Sequence, residues 1–300
     1  YTLPGDQPEM PENFHSRISK TLPIEILKDS TIIQIGCGGS VGATEALARC
    51  GIGRFILIDP DICNPHNILT QRSYLAESGQ AKVKALANKI LNVNPKAKVD
   101  IYWKAITDDT TIEEFTNMLP KDILEDFGKV LVVASTDNFH AQDAILNIAL
   151  KLGVPFMAPQ MYEGGLASEI VFYYPGVTKT CPKCILHSRY EAYKKGYKNT
   201  VTSEGTIYPS VLQTNAIEVQ VALMLLLYHK GDYRYSGMLD RVADRNLVLL
   251  RLAPNAGEAY GLNFLDTAMD ERFSFFGEAL WVPVKPMENC PICNCNEVVA

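Results

Sequence analysis

The chain has 300 residues, enough for one large α/β domain or two ordinary ones. It is 47% hydrophobic and 21% charged, close to average globular usage, so it can bury a substantial core. The formal net charge of -6 argues against a general binder of nucleic-acid backbones, because such a protein needs a basic surface. An acidic protein can still bind an anionic ligand through a local cluster, so only the nucleic-acid class is disfavoured.

No run of residues is long and apolar enough to predict a membrane span. The most apolar run, 216–228, is short and carries Glu218 and Gln220, which favours a buried helix. Residues 1–29 are interpreted as an N-terminal arm, since polar residues and prolines are scattered through them without the apolar core of a signal peptide. These features predict a cytoplasmic protein with no membrane partner.

The first third of the chain has the order of a nucleotide-binding unit. It passes through a β-branched run, a glycine-rich turn, a stretch of helical composition and an apolar run that stops at an acid: 31–35, 36–39, 43–50, 54–58 and Asp59. A strand, a glycine turn, a helix, a strand and an acid in this order are typical of the βαβ unit of a nucleotide-binding sheet.

Similar patterns continue towards the C-terminus. They predict helices at 80–91, 109–119, 140–152 and 212–228, strands at 99–103, 130–134, 154–157 and 169–174, a mobile loop at 187–206, and alternating strands and turns at 233–281. The strand at 130–134 is apolar throughout, as parallel strands covered on both faces are. We therefore expect an α/β fold, with a Rossmann-like, mostly parallel sheet, helices on both of its faces and an additional β region.

The glycine turn and the acid after it suggest a bound nucleotide. Gly36, Gly38 and Gly39 let the backbone approach phosphates, and the helix that follows offers free N–H groups. Taken alone, this turn fits NAD, FAD, S-adenosylmethionine or ATP. Asp59, at the end of the second strand, is placed to accept hydrogen bonds from ribose hydroxyls. The alternative is a turn residue, because Pro60 follows directly.

Eight cysteines are unevenly distributed along the chain. Cys181 and Cys184 have the spacing C-x-x-C, and so do Cys290 and Cys293. In a reducing compartment such pairs indicate a metal rather than disulfides, and four thiolates suit a closed, structural, tetrahedral Zn²⁺ site. Cys295 could replace Cys293 as a ligand, and free or redox-active thiols are the alternative.

The motifs after the glycine turn narrow the choice of ligand. Asp59-x-Asp61, Asn67 with Gln71-Arg72, Gly79-x-x-Lys82 and Thr136-Asp137-Asn138 follow one another in order. With the cysteine pairs, this order resembles the ThiF/MoeB/HesA superfamily, which includes the ubiquitin-activating enzymes and carries D-x-D, N-x-x-R-Q, G-x-x-K and T-D-N motifs. The resemblance runs from about 30 to 294. It implies one adenylation domain at 30–300, with a crossover loop at about 185–206 and zinc knuckles at 181–184 and 290–293.

The resemblance also implies an activity: ATP- and Mg²⁺-dependent adenylation of the C-terminal carboxylate of a ubiquitin-like protein or peptide. Lys82 would contact the phosphates and Asp137 would help hold Mg²⁺, while Arg17 would reach the phosphates of a partner subunit in a homodimer. The other interpretations are a solvated helix face for Lys82, a turn or helix cap for Asp137 and an exposed arm residue for Arg17. The implied nucleotide-binding residues are Gly36, Gly38, Gly39, Asp59, Asp61, Asn67, Gln71, Lys82, Asp137 and Asn138.

Three departures from the family pattern stand out. The third glycine of the turn, Gly42, falls one residue late, and Thr70 replaces the motif arginine. Arg72 is either a catalytic substitute for that arginine or a stacked surface residue. Residues 201–205 contain no cysteine where thioester-forming members have one. The acyl group would then pass to a separate acyl acceptor or sulfur donor, or to Ser203 or Thr202 as an oxyester.

Alternatives from other classes stay open on the sequence alone. An NAD-dependent oxidoreductase could use the same turn, but it leaves Lys82, Asp137 and the cysteine pairs without a role. A superfamily relative that activates a carboxylate on transfer RNA is disfavoured by the acidic balance. A non-catalytic nucleotide-binding scaffold is suggested by the displaced arginine and the shifted glycine.

Overall fold

The computed structural model describes residues 1–3, 5, 10–198, 205–231, 233–261 and 277–293. Its strands are β1 Thr31–Ile35, β2 Arg54–Ile58, β3 Lys98–Tyr102, β4 Val130–Ala134, β5 Phe156–Met161, β6 Ala167–Tyr173, β7 Leu247–Arg251 and β8 Glu278–Val282. Its α-helices are α1 Ile24–Leu27, α2 Val41–Arg49, α3 Lys82–Val93, α4 Ile112–Thr116, α5 Lys121–Glu125, α6 Phe139–Leu152, α7 Pro182–Ile185, α8 His187–Lys194, α9 Tyr208–Leu226 and α10 Ala256–Tyr260.

All eight described strands form one sheet in the order β3-β2-β1-β4-β5-β6-β7-β8. The first five are parallel, and β6, β7 and β8 continue the sheet as antiparallel neighbours. From β1 the chain first moves outward to β2 and β3, then returns to add β4 on the other side of β1. The predicted parallel sheet with an additional β region is confirmed.

Helices cover both faces of the sheet, as predicted. On one face α2, α3 and α9 bury their apolar side chains against residues such as Phe55 and Leu131. On the other face α4, α5 and α6 pack against residues such as Ile56 and Val132. Because both faces of these central strands are buried, β1 and β4 are apolar except for Thr31 and Gln34. They therefore lack the alternation of polar and apolar residues that is typical of a strand with one exposed face.

Two segments differ from the patterns predicted for them. The helix expected at 109–119 is shorter, and a second helix, α5, follows it with Pro120 as its N-cap, because proline fixes a backbone angle that suits a new helix start. The segment 187–206, predicted as a loop, begins with α8. Residues 199–204 of that segment lie outside the described residues.

None of the described helices combines the length and the apolar character that crossing a membrane requires.

We expect Gly53→Ala to destabilise the fold. Gly53 joins α2 to β2, and a Cβ atom there would lie 1.7 Å from the backbone oxygen of Lys28. Since the obstructing atom belongs to the backbone, the strand or the preceding segment must shift, at a cost of about 1–3 kcal/mol or more. Urea unfolding measures this loss. Gly237→Ala is the control, because a Cβ at Gly237 meets no heavy atom within 4 Å; equal stability of the two variants would contradict the explanation.

Candidate functional site

A cavity of about 590 Å³ opens at the carboxyl ends of the parallel strands. It lies where the chain order reverses, between β1 and β4, and the turns after β1, β2 and β4 form its walls. Ligands of open α/β sheets bind at this position because neighbouring loops diverge there and leave a crevice. A larger surface cavity, about 740 Å³, lies at the opposite, amino ends of the strands and shares no wall with these turns.

The glycine turn after β1 forms the floor of the cavity. Gly36 has φ +87°, and a Cβ there would lie 2.2 Å from the backbone oxygen of Ser135, which follows β4. Only glycine allows this backbone angle and this close approach. A Cβ at Gly39 would meet no heavy atom within 4 Å, so the backbone at Gly39 faces open space. The turn is therefore packed tightly below and open above.

Unused hydrogen-bond donors lie in the same turn. Within the part of the chain that the structure describes, no acceptor meets the backbone N–H groups of Gly38, Gly39 and Ser40. They precede the nine-residue helix α2, whose dipole places partial positive charge at this end. Free N–H groups at a helix start are a general binding site for anions such as phosphate. The geometry thus fits the phosphate role predicted for the turn.

Asp59 is buried at the end of β2 and its carboxylate braces two turns. Its two oxygens accept the backbone N–H groups of Cys37, at 2.6 Å, and of Asp61, at 2.7 Å. Asp59 also lines the cavity. Each carboxylate oxygen has a further lone pair, so Asp59 can both hold the glycine turn and accept a ligand hydroxyl.

Lys82 brings a positive charge to the cavity from the first turn of α3. Its Nζ donates to Asp61 Oδ2 at 2.8 Å, and only 14% of its side chain is exposed. Burial lowers the pKa of Lys82, but its hydrogen bond to Asp61 and the charges of Asp59, Asp61 and Asp137 outweigh this effect and raise the pKa. Lys82 is therefore a permanently charged group among carboxylates, and not a residue of a solvated helix face.

The T-D-N motif lies at the rim of the cavity, after β4. Asp137 and Asn138 line the cavity and are exposed. The side chain of Asn138 accepts the backbone N–H of Ala141 and caps α6. Asn138 is thus the residue that caps α6, and the charge of Asp137 is near enough to Lys82 to contribute to raising the pKa of Lys82.

Asn67 and Gln71 line the cavity as the family pattern implies, and so does Thr70. Asn67 Oδ1 accepts the backbone N–H of Asn64, which shapes the one-turn helix Pro65–Leu69. The amide of Gln71 lies over the glycine turn, since a Cβ at Gly38 would be 3.1 Å from Gln71 Nε2.

The two arginines assigned catalytic roles do not line this cavity. Arg72 Nε donates to Glu45 Oε2 at 2.5 Å and its Nη2 to Glu45 Oε1 at 3.1 Å. The hydrogen bond to Glu45 raises the pKa of Arg72, so this guanidinium stays charged. Arg17 is exposed, in the arm that precedes α1. Their catalytic roles stay predictions, and both require groups to move or a second subunit.

Other wall residues were not found by sequence reasoning. Glu218 and Asn215 of α9 line the cavity, together with Ser40 and Tyr162. Asn215 also explains the late glycine: a Cβ at Gly42 would lie 2.5 Å from Asn215 Oδ1, so glycine is needed for α2 to pack on α9. The signal for Glu218 was present in the sequence, as a lone carboxylate inside an apolar run.

The four paired cysteines come together at one point. The Sγ atoms of Cys181, Cys184, Cys290 and Cys293 all lie within 4.8 Å of one another. Three of the six pairs are 3.6–3.7 Å apart. A tetrahedral zinc with bonds of about 2.3 Å places its sulfurs about 3.8 Å apart, so this cluster could hold one zinc ion. Cys295 lies outside the described residues.

Helix α8 begins directly after the first cysteine pair and docks on α6. The ring of Tyr193 stacks on Phe139 with centroids 4.0 Å apart, and Tyr190 donates to Asp143 Oδ1 at 2.6 Å. Arg189 pairs with the buried Glu169 of β6 at 2.7 Å. Since Phe139 lies two residues after Asp137, the cysteine cluster is linked through α8 to the rim of the cavity.

Comparisons with known proteins agree with this arrangement. The ThiF family matches residues 16–246, which confirms the resemblance seen in the motifs. "Ubiquitin-like modifier-activating enzyme 5" of Caenorhabditis elegans is 31% identical over 167 residues, covering 54% of this chain and 38% of that protein. The protein of that name from Mus musculus is 32% identical over 146 residues, covering 48% of this chain and 36% of its own. The alignments thus span well under half of these relatives.

Two solved structures have the same fold. MccB of E. coli, solved with ATP, has a TM-score of 0.61 at 15% identity, covering 90% of this chain and 68% of MccB. PaaA has a TM-score of 0.59 at 16% identity, covering 83% of this chain and 82% of PaaA. At these identities the likeness concerns the fold alone.

We expect the purified protein to contain about one zinc per chain and Cys181→Ser to lose it. A missing thiolate leaves three ligands, and a structural zinc site normally needs four. Elemental analysis measures the metal, and thermal unfolding measures the loss of stability. Cys50→Ser is the control, since Cys50 lies outside the cluster and is partly exposed. Full zinc retention by Cys181→Ser would contradict the ligand set.

Proposed function

This chain belongs to the ThiF family, and from that premise we propose its function. We propose that the protein is an ATP- and Mg²⁺-dependent adenylyltransferase that activates the C-terminal carboxylate of a ubiquitin-like protein or a peptide and releases pyrophosphate. The observation that carries this proposal is the combination, in one cavity, of a free-donor glycine turn with Lys82 and the exposed carboxylate of Asp137.

The site fits ATP better than it fits a nicotinamide dinucleotide. The N–H groups of Gly38, Gly39 and Ser40 would receive phosphate oxygens, and Asp59 would receive the ribose hydroxyls. Lys82 places a positive charge in this cavity, which favours a ligand with the high phosphate charge of ATP. MccB, which has this fold, was solved with ATP and, separately, with AMPCPP and MccA.

The chemistry needs little from titrating side chains. A C-terminal carboxylate is ionised at neutral pH, so its oxygen can attack the α-phosphorus without a general base. The new bond joins that oxygen to phosphorus, and the bond from the α-phosphorus to the bridging oxygen breaks, with the electron pair leaving on pyrophosphate. What remains for the protein is to align the two reactants and to neutralise charge on the phosphates.

Lys82 and Asp137 divide the task of neutralisation. Lys82 is the cation. On phosphate binding, its Nζ would donate to phosphate oxygens instead of to Asp61. Asp137 offers carboxylate oxygens at the exposed rim of the cavity. This suits Mg²⁺, which proteins usually bind through one or two carboxylates together with phosphates of the substrate. Mg²⁺, when bound, supplies positive charge to the phosphate oxygens. Asp61 and Asn138 lie close enough in the cavity wall to support these groups.

The fate of the activated acyl group is a separate proposal. The described residues contain no exposed cysteine in this cavity: Cys37 is buried, and burial raises its pKa. Ser203 and Thr202 lie outside the described residues. We propose transfer of the acyl group from the adenylate to a separate acyl acceptor or sulfur donor, with release of AMP and with no acyl-enzyme on a cysteine.

We further propose a homodimer and a structural zinc. A second copy would offer Arg17 to the phosphates, which no described arginine of the same chain reaches. Zinc at the four cysteines would connect α7, and α8 after it, to the C-terminal segment that contains Cys290 and Cys293. In that position α8 would help keep water from the acyl adenylate, which hydrolyses readily.

A non-catalytic, nucleotide-binding scaffold is the second candidate. The observation that favours it is the pairing of Arg72 with Glu45, which leaves the described cavity wall with lysines, Lys82 and Lys104, and no arginine. The scaffold binds ATP and performs no exchange of pyrophosphate.

ATP–pyrophosphate exchange, assayed across candidate partners with free C-termini, distinguishes these two functions. We expect exchange in the wild type and a loss of at least about hundredfold in Asp137→Asn, because a neutral amide no longer holds the metal. Asp244→Asn is the control, an exposed aspartate outside the cavity. ATP binding without exchange in every pairing would favour the scaffold, and a nicotinamide dinucleotide in the cavity would exclude both.

For Lys82→Gln we expect a Kd for ATP that is about ten- to hundredfold higher, since a hydrogen bond to a charged group contributes about 1.5–3 kcal/mol. Equilibrium binding of a fluorescent ATP analogue measures this change. Lys84→Gln, in the same helical turn but outside the cavity wall, is the matched control. Equal affinities of the two variants would remove Lys82 from the phosphate site.

A further inference from the structure

Glu218 is a buried acid at the phosphate end of the cavity. It lies on α9 and is 1% exposed, yet its side chain forms part of the cavity wall beneath the glycine turn. Buried carboxylates are costly unless they are paired with a cation. Within the described residues Glu218 has no ion-pair partner, and its neighbours are neutral.

The neighbours of Glu218 connect it to the glycine turn. Asn215 Nδ2 donates both to Glu218 Oε2, at 3.2 Å, and to the backbone oxygen of Gly39, at 3.1 Å. The hydroxyl of Ser40 is also close enough to Glu218 to lower the pKa of Glu218, and both residues line the cavity. The hydroxyl of Ser40 lies 2.6 Å from that of Ser135, the residue after β4. Glu218 is thus connected to the turn through Asn215 and Gly39, and Ser40 of the same turn contacts Ser135 at the switch point.

The charge state of Glu218 follows from this position. Burial raises the pKa of Glu218 to about 8, against the opposing effect of the hydrogen bonds from Ser40 and Asn215. The charged groups around it are Glu45 of α2, which pairs with Arg72, and the cavity residues Lys82, Lys104, Asp59, Asp61 and Asp137. None of these is among the causes of its shift. At neutral pH Glu218 is therefore mostly a carboxylic acid.

We propose that Glu218 is a positioning residue for the nucleotide phosphates, acting as a neutral carboxylic acid that sets the direction of the Ser40 hydroxyl. A neutral Glu218 donates its own O–H to Ser40 Oγ, and the Ser40 hydrogen is then free to point to Ser135 or to a phosphate oxygen. An ionised Glu218 takes the Ser40 hydrogen instead. Ser40 then presents only a lone pair, and a negative charge lies beneath the N–H groups meant for phosphate.

Two different penalties therefore accompany ionisation of Glu218. The charge of the buried carboxylate repels the phosphates, and the turn loses a donor. Both act on phosphate binding, so binding and protonation of Glu218 favour each other. This inference rests on the proposed nucleotide site, and it adds a residue and a pH dependence that the family motifs do not contain.

The test is the Kd for Mg-ATP between pH 7 and pH 9. If only the protonated form binds, the competent fraction falls from about ten elevenths to about one eleventh, so the Kd of the wild type rises about tenfold. In Glu218→Gln, which is neutral at every pH, the Kd keeps one value across this range. Titrations of ATP itself and of Lys82 are common to both proteins and cancel in the comparison.

Proton uptake gives a second readout. Calorimetric titrations of ATP at pH 8, in buffers of different ionisation enthalpy, should show uptake of up to about half a proton by the wild type. Glu218→Gln should lack this uptake. Glu258→Gln is the control for a Glu-to-Gln change, because Glu258 is exposed on α10 and outside the cavity, and it should match the wild type in both measurements.

The outcomes separate this inference from the proposed function. ATP binding with the same pH profile and the same proton uptake in the wild type and in Glu218→Gln overturns the role of Glu218 alone. Absence of ATP binding in the wild type at every pH overturns the nucleotide site as well. Thermal unfolding of Glu218→Gln verifies that the variant is folded before either conclusion is drawn.

Discussion

The close approach of two backbone segments at the switch point is the constraint on which the site depends. Gly36 leaves β1 with a left-handed backbone and lies against Ser135, leaving no room for a side chain. Because β1 leads to α2 on one face of the sheet and β4 leads to α6 on the other, the turns after these strands diverge above this contact. The glycine turn and the T-D-N motif line the two sides of that crevice, and Asp59, at the end of β2, binds the glycine turn through the backbone N–H of Cys37.

Electrostatics in the cavity is a balance between a few charges of opposite sign. Asp59 is committed to two backbone N–H groups, and Asp61 is committed to Lys82. The glycine turn adds fixed partial positive charge without any cation. Because this positive charge is local, a chain with a net negative charge can still contain a site for an anion. It also explains why an acid beneath the turn, Glu218, is compatible with the site only when it is neutral.

Packing outside the cavity determines how the rim is supported. The cysteine cluster fixes the start of α8, and α8 packs its tyrosines on the first turn of α6, next to Asp137. On the other face α9 meets α2 at Gly42 and delivers Asn215 and Glu218 to the floor. The segment expected to be a loop thus starts as a docked helix, because its tyrosines find apolar and acidic partners that are distant in sequence.

Local patterns in the sequence determined the strands of the parallel sheet, the glycine turn, the order of the family motifs and the pairing of the cysteines. These features depend on neighbours in the chain, since β-branched runs, turns and C-x-x-C spacing are short-range. Tertiary structure alone decided that Arg72 binds Glu45 rather than the cavity and that the late Gly42 serves helix packing. It also decided that Glu218 lies beneath the phosphate turn. Each of these outcomes depends on contacts between elements 27 to 178 residues apart, which no local pattern encodes.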